Sequence, residues 1–152
     1  MTRENGSDTN LIQAALDARE SAYVPYSKFR VGAALLDERG RVFTGCNIEN
    51  ASYGATCCAE RTAIFKAVSE GAKAIRKLAV VCGQEGPCMP CGICRQVMAE
   101  FASNDFVLLA ASPDGTYRRF SLDELLPARF ELSADPSSGP GPDGQTGPRG
   151  RR

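Results

Sequence analysis

L-A-V-V-C-G-Q-E-G-P-C-M-P-C-G-I-C-R-Q-V-M-A-E-F-A-S-N-D-F-V-L-L-A-A, residues 78–111, is the stretch that decides the fold. It opens with a continuous apolar run at 78–82, as a strand buried on both faces requires. A Gly- and Pro-rich loop follows. Helical spacing then runs from 91 to 101, and a second apolar run covers 106–111. Strand, helix and strand in that order predict a parallel crossover.

Working outward, residues 59–70 show helical spacing with Ile64, Phe65 and Val68 on one face, and Gly71 stands where a C-cap is wanted. Residues 29–36 and 41–48 read as two antiparallel strands joined across D-E-R-G. Nearer the start, residues 11–24 place Leu11, Ala15, Ala18 and Ala22 at helical spacing, with Thr9 or Asn10 as N-cap and Pro25 as the stop. Downstream, P-D-G at 113–115 is a turn, 117–120 an edge strand, and Ser121 the cap of a short helix through Leu126. The expectation is an α/β domain over residues 1–132, a mixed five-stranded sheet covered by helices. Pro, Gly, Ser, Asp and Arg dominate from Pro136 onward, so residues 133–152 are expected to form a disordered tail.

Composition narrows the function. A chain of 152 residues, 43% hydrophobic, suits one core. Eighteen basic residues cancel eighteen acidic ones, which leaves no cation surplus for a nucleic-acid partner. Neither a secretory signal nor a membrane-spanning apolar run is visible, so a cytoplasmic protein is expected. Seven cysteines in that setting point to metal or thiol chemistry rather than a disulfide framework. Histidine is absent, which excludes Ser-His-Asp and Cys-His pairs and any His-ligated zinc.

Two cysteine motifs fall at predicted helix starts: C-A-E at 58–60 and P-C-G-I-C at 90–94. A helix N-terminus carries unpaired N–H groups and about half a positive charge, both favouring thiolate over thiol. Cys91 and Cys94, at i and i+3, share a helix face, so three thiolates with Cys58 can converge on one ion. Three ligands leave zinc an open place for water, which then loses a proton near pH 7. Two other readings stay open. C-x-x-C can serve a thioredoxin-like redox pair, and Cys57 or Cys88 as a fourth ligand would close the site to water. Against closure, Pro90 starts the helix after Cys88, and Cys57 points about a hundred degrees away from Cys58. Cys46 and Cys82 are expected to be small core residues.

Three thiolates outweigh the charge of Zn2+, and Arg61, three residues after Cys58, is placed to donate to the ligand sulfurs. Glu60, two residues after Cys58, is near enough to move a proton without ligating. Asn47 and Glu49, at i and i+2 on a predicted strand, share a face and suit a sugar hydroxyl. The Glu49 charge disfavours a neighbouring phosphate, and so favours nucleosides over nucleotides.

P-Y-S-K-F-R-V-G-A-A-L (25–35), G-C-N-I-E-N-A-S-Y-G (45–54), C-A-E-R-T-A (58–63) and P-C-G-I-C-R-Q-V (90–97) together resemble the small, all-cysteine cytidine deaminases. The similarity runs from about Tyr23 to Phe130. It implies a three-layer α/β/α fold, one Zn2+ on Cys58, Cys91 and Cys94, and hydrolytic deamination of cytidine and deoxycytidine by water attack at C4. Glu60 would protonate N3 and then the departing amine. The resemblance also implies a homotetramer. Phe29 matches the base-stacking aromatic, Asn47 and Glu49 the ribose-binding pair, and Ala59 belongs to the substrate-binding set. Tyr53 and Phe130 match residues that reach a neighbouring subunit's site. The loop C-M-P at 88–90 departs from the pattern. Alternatives kept in view are a deaminase of another aminopyrimidine nucleoside, such as a blasticidin-type antibiotic, and a structural zinc module. Polynucleotide editing is disfavoured by the neutral charge and by the lack of an aromatic and basic strand-binding stretch.

Overall fold

The computed structural model describes residues 3–132; the tail expected over 133–152 lies outside them. The elements in chain order are α1 (Arg3–Arg19), β1 (Val31–Asp37), β2 (Val42–Cys46), α2 (Ala59–Ser69), β3 (Ile75–Cys82), α3 (Gly92–Phe101), β4 (Ala102–Ala111), β5 (Tyr117–Ser121) and α4 (Leu122–Leu125). One mixed sheet has the order β2-β1-β3-β4-β5. β3 and β4 pair in parallel through α3, as the strand-helix-strand pattern demanded, and the other neighbours are antiparallel.

Alternation along the central strands builds two cores. Ala33, Leu35, Leu78, Val80, Leu108 and Ala110 face α2 and α3, and meet Ala63, Ile64, Ala67, Cys94 and Met98. Their sequence neighbours Ala34, Ala79, Val81, Leu109 and Ala111 face the other way, onto Leu11, Ile12 and Ala15 of α1. A strand's period of two therefore yields helix, sheet and helix layers. Asp8 of α1 is fully buried beneath this outer layer, where it pairs with Lys77 of β3, accepts from Tyr117 Oη at 3.4 Å and faces Arg119 at 3.6 Å.

Several sequence boundaries need correction. The first helix runs through Thr9 and Asn10 rather than starting there, and it ends at Arg19, well before Pro25. Gly32 allows a close approach here: a Cβ there would stand 2.0 Å from Ala15 O and 2.6 Å from Arg19 N, so α1 lies directly on the β1 backbone. Beyond it, Arg30 Nη1 donates to Glu20 O and Ala22 O, and Tyr23 forms a bridge with Ile48. β2 stops at Cys46, so Asn47 and Glu49 lie past the strand. On α2 the buried face is Ala59, Glu60, Ala63, Ile64 and Ala67, while Phe65 is exposed. At the other end, Ser121 does cap α4, in a reciprocal capping box with Glu124. Among the described residues no helix is long and apolar enough to cross a membrane.

Candidate metal centre and active site

Cys58 is the N-cap of α2 and Cys91 the N-cap of α3, both with extended backbone. Their side chains thus stand at helix mouths, where free N–H groups and the helix dipole stabilise thiolate. Cys94 lies in the first turn of α3 and is fully buried. The Sγ atoms of Cys58, Cys91 and Cys94 all fall within 4.8 Å of one another, and the Cys58 to Cys91 separation is 3.8 Å. Sulfurs about 2.3 Å from a tetrahedral zinc stand about 3.8 Å apart, so the donor set fits such an ion.

Neither competing cysteine joins this group. Cys57 is turned toward Thr62, whose Oγ1 donates to its sulfur at 3.6 Å, and its backbone bridges Ile48. Cys88 is buried nearby but outside the trio. Burial pushes its thiol far above the usual range, with the neighbouring Cys82 adding to the effect. Among the described residues only Cys58, Cys91 and Cys94 come close enough to share an ion.

Charge around the trio follows from the contacts. Arg61 Nη2 donates to Cys58 Sγ at 3.6 Å and to Thr56 O at 3.2 Å, while its Nε is buried without a protein partner. A hydrogen bond from the Cys94 thiol and the Arg61 guanidinium hold Cys58 down at about 5. The same sulfur-sulfur contact, with burial, pushes Cys94 up. Glu60 sits in the first turn of α2 and is only 4% exposed. Loss of solvent raises its carboxyl to about 7, with the Cys58 charge also raising it, so it exchanges a proton near neutrality.

Glu60, Cys58 and Cys91 line a cavity of about 450 Å³ together with Phe29, Asn47 and Ala59. That volume lies in the range of small-ligand sites. Asn47 braces one wall: its Oδ1 accepts from Val31 N and its Nδ2 donates to Phe29 O, both at 2.8 Å. Glu49 lies outside the lining and accepts from Tyr26 N at 2.9 Å and Ser27 N at 3.2 Å, which holds the turn before Phe29. Both side chains therefore act on segment 26–31, although not from a strand. Tyr53 and Phe130, 77% and 70% exposed, are not part of this cavity. Cys82 is a buried core residue, as expected, but it also lines the cavity, as does the loop 84–89, for which the sequence suggests only a connector. Their adjacency to the Cys91 motif was the available signal.

The model of the cytidine and deoxycytidylate deaminase zinc-binding region matches residues 5–110. The chain belongs to this family. Among curated relatives, the cytidine deaminase of Halalkalibacterium halodurans is 53% identical over 120 residues, which is 79% of this chain and 91% of that protein. The cytidine deaminase of Sporosarcina psychrophila is 52% identical over 120 residues, covering 79% and 88%. Among solved structures, cytidine deaminase from Burkholderia pseudomallei superimposes with a TM-score of 0.77 at 47% identity, covering 86% of this chain and all of that one. The deaminase family membership agrees with the mixed five-stranded α/β fold and with a cysteine cluster suited to a metal.

Proposed function

We propose that the chain is a zinc-dependent hydrolase that converts cytidine and deoxycytidine to uridine and deoxyuridine in pyrimidine salvage. The observation that carries this reading is the meeting of three thiols from two helix starts beside a buried carboxyl, Glu60, in one nucleoside-sized cavity. Cys58, Cys91 and Cys94 would hold the zinc, whose Lewis acidity, when bound, makes water a nucleophile near neutral pH. Arg61 offsets the excess thiolate charge.

Glu60 takes one proton from the water that attacks C4 and delivers it to N3, then takes the remaining proton from the C4 hydroxyl and delivers it to the amine, so that the C–N bond breaks, ammonia leaves and C4 keeps the oxygen as a carbonyl. A carboxyl near 7 in a dry setting suits both halves of that cycle. Phe29 stacks on the base, Ala59 lies against it, and Asn47 and Glu49 take the ribose hydroxyls, exchanging part of their present backbone contacts for substrate. The carboxylate of Glu49 repels a phosphate and so selects nucleosides. The exposure of Tyr53 and Phe130 supports a homotetramer in which each completes a neighbour's site. Residues 1–132 are assigned to the deaminase domain, and the free cysteines among the described residues support a cytoplasmic location.

The test is uridine release from cytidine, with zinc measured per chain. One zinc and steady uridine formation are expected. A zinc-replete chain that leaves cytidine intact, or a fully thiolate-ligated ion, would refute the assignment.

A further inference from the structure

The dipeptide Arg95-Gln96, directly after the last thiol of P-C-G-I-C, has no part in the chemistry above, yet its side chains make three long-range or loop contacts. Arg95 is partly buried; its Nε donates to Pro90 O at 3.0 Å and its Nη1 to Leu125 O at 2.9 Å. Gln96 Nε2 donates to Phe130 O at 3.0 Å. Pro90 immediately precedes Cys91, so its carbonyl belongs to the peptide that sets the Cys91 Cα. Cys91 needs such support. It is exposed, it follows a loop without regular structure from 83 to 90, and as N-cap it lies at the very edge of α3. Proline carries no N–H, so position 90 offers only its carbonyl for anchoring.

We propose that Arg95 is a positioning residue: its guanidinium ties the peptide before Cys91 to the last carbonyl of α4, fixing the Cys91 sulfur for the metal. Two donors of one planar group fix two carbonyls at once, which a single ammonium does not reproduce. Gln96 adds a second tie, so the C-terminal segment that carries Phe130 is fastened to the same helix that presents Cys91 and Cys94. The metal site and the segment assigned to a neighbour's cavity are thereby one mechanical unit. The inference rests on the metal reading above.

The experiment compares the parent holoenzyme with Arg95→Met, which keeps the apolar stem, and Arg95→Lys, which keeps one donor. Zinc per chain and uridine release are first measured on the parent; failure there sinks the proposed function and not this inference alone. Zinc transfer to a colorimetric chelator is then followed at fixed pH, beside kcat and KM for cytidine at saturating zinc. Partners that orient a ligand typically affect metal affinity or activity by about 10–100-fold. Arg95→Met is expected to lose zinc at least about tenfold faster, with Arg95→Lys intermediate and kcat falling more than KM rises. Should Arg95→Met fail to fold, Arg95→Lys decides alone: accelerated transfer supports the role, and parental kinetics overturn it. Thermal destabilisation with parental zinc kinetics also overturns it, since a purely structural arginine predicts that pattern.

Discussion

Gly45 lies in β2 opposite Ala33, directly under the first turn of α2. A Cβ added there would stand 2.5 Å from Ala63 N and 2.6 Å from Ala59 O, where ordinary contact begins at 3.4 Å. Both atoms are backbone, so no rotamer change relieves the clash, and α2 must retreat by roughly 0.8–0.9 Å. Gly45→Ala is therefore an overpacking change, expected to cost about 1–3 kcal/mol of stability. The displaced turn contains Ala59 and Glu60 and adjoins Cys58, so the retreat also disturbs the Cys58 to Cys91 spacing of 3.8 Å. A misplacement of about 1 Å at a reacting group costs on the order of 100-fold in rate. Urea unfolding, zinc per chain and kcat for cytidine measure the two effects separately. A variant with an unchanged urea midpoint and kcat within twofold of the parent refutes the idea that bare backbone contact at Gly45 sets the position of the helix start.

Glu60→Gln keeps shape and removes the transferable proton; kcat should fall by about 10²–10⁴-fold while one zinc stays bound, and activity within tenfold of the parent would remove Glu60 from the proton path. Cys88→Ala should retain zinc and deaminase activity, because Cys88 lies outside the sulfur trio; loss of metal would place it among the ligands. Asp37 is fully buried and accepts from Arg39 N, Arg41 N and Arg41 Nε at 3.0, 2.7 and 2.8 Å. Burial alone would raise its pKa, but the Arg41 and Arg39 hydrogen bonds win and hold it below the ordinary 3.8. A depressed carboxylate stabilises the fold above its ordinary pKa and loses that contribution as pH falls through the folded value. Asp37→Asn should thus cost about 1–3 kcal/mol at pH 7, with the gap narrowing as pH falls below 3.8; a gap that does not change with pH, by urea unfolding, contradicts the ionic reading.

Much of this protein is written locally. The buried strands 78–82 and 106–111 announce themselves as apolar runs, the parallel crossover follows from the helix between them, and the Ser121 cap needs only its own side chain and Glu124. The thiols at 58, 91 and 94 are legible because each falls where the periodicity begins, and a helix start has a known field. Periodicity fails where another element decides. Helical spacing at 11–24 stops short of Pro25 because Tyr23 gives its backbone bonds to Asn47 and Glu49 beside Ile48 instead of to a helix. Phe65 keeps the spacing of a core residue, yet its side of α2 faces out.

Sequence alone determined which residues are candidates for the chemistry, since thiol and carboxyl placement relative to a helix start is a matter of a few neighbouring positions. Only the tertiary structure decided that Cys58 meets Cys91 across 33 residues, that Cys57 and Cys88 stand aside, and that Arg95 reaches from Pro90 to Leu125. Those outcomes depend on how β1 and β3 lie side by side and on how closely backbones approach, distances that no local pattern encodes.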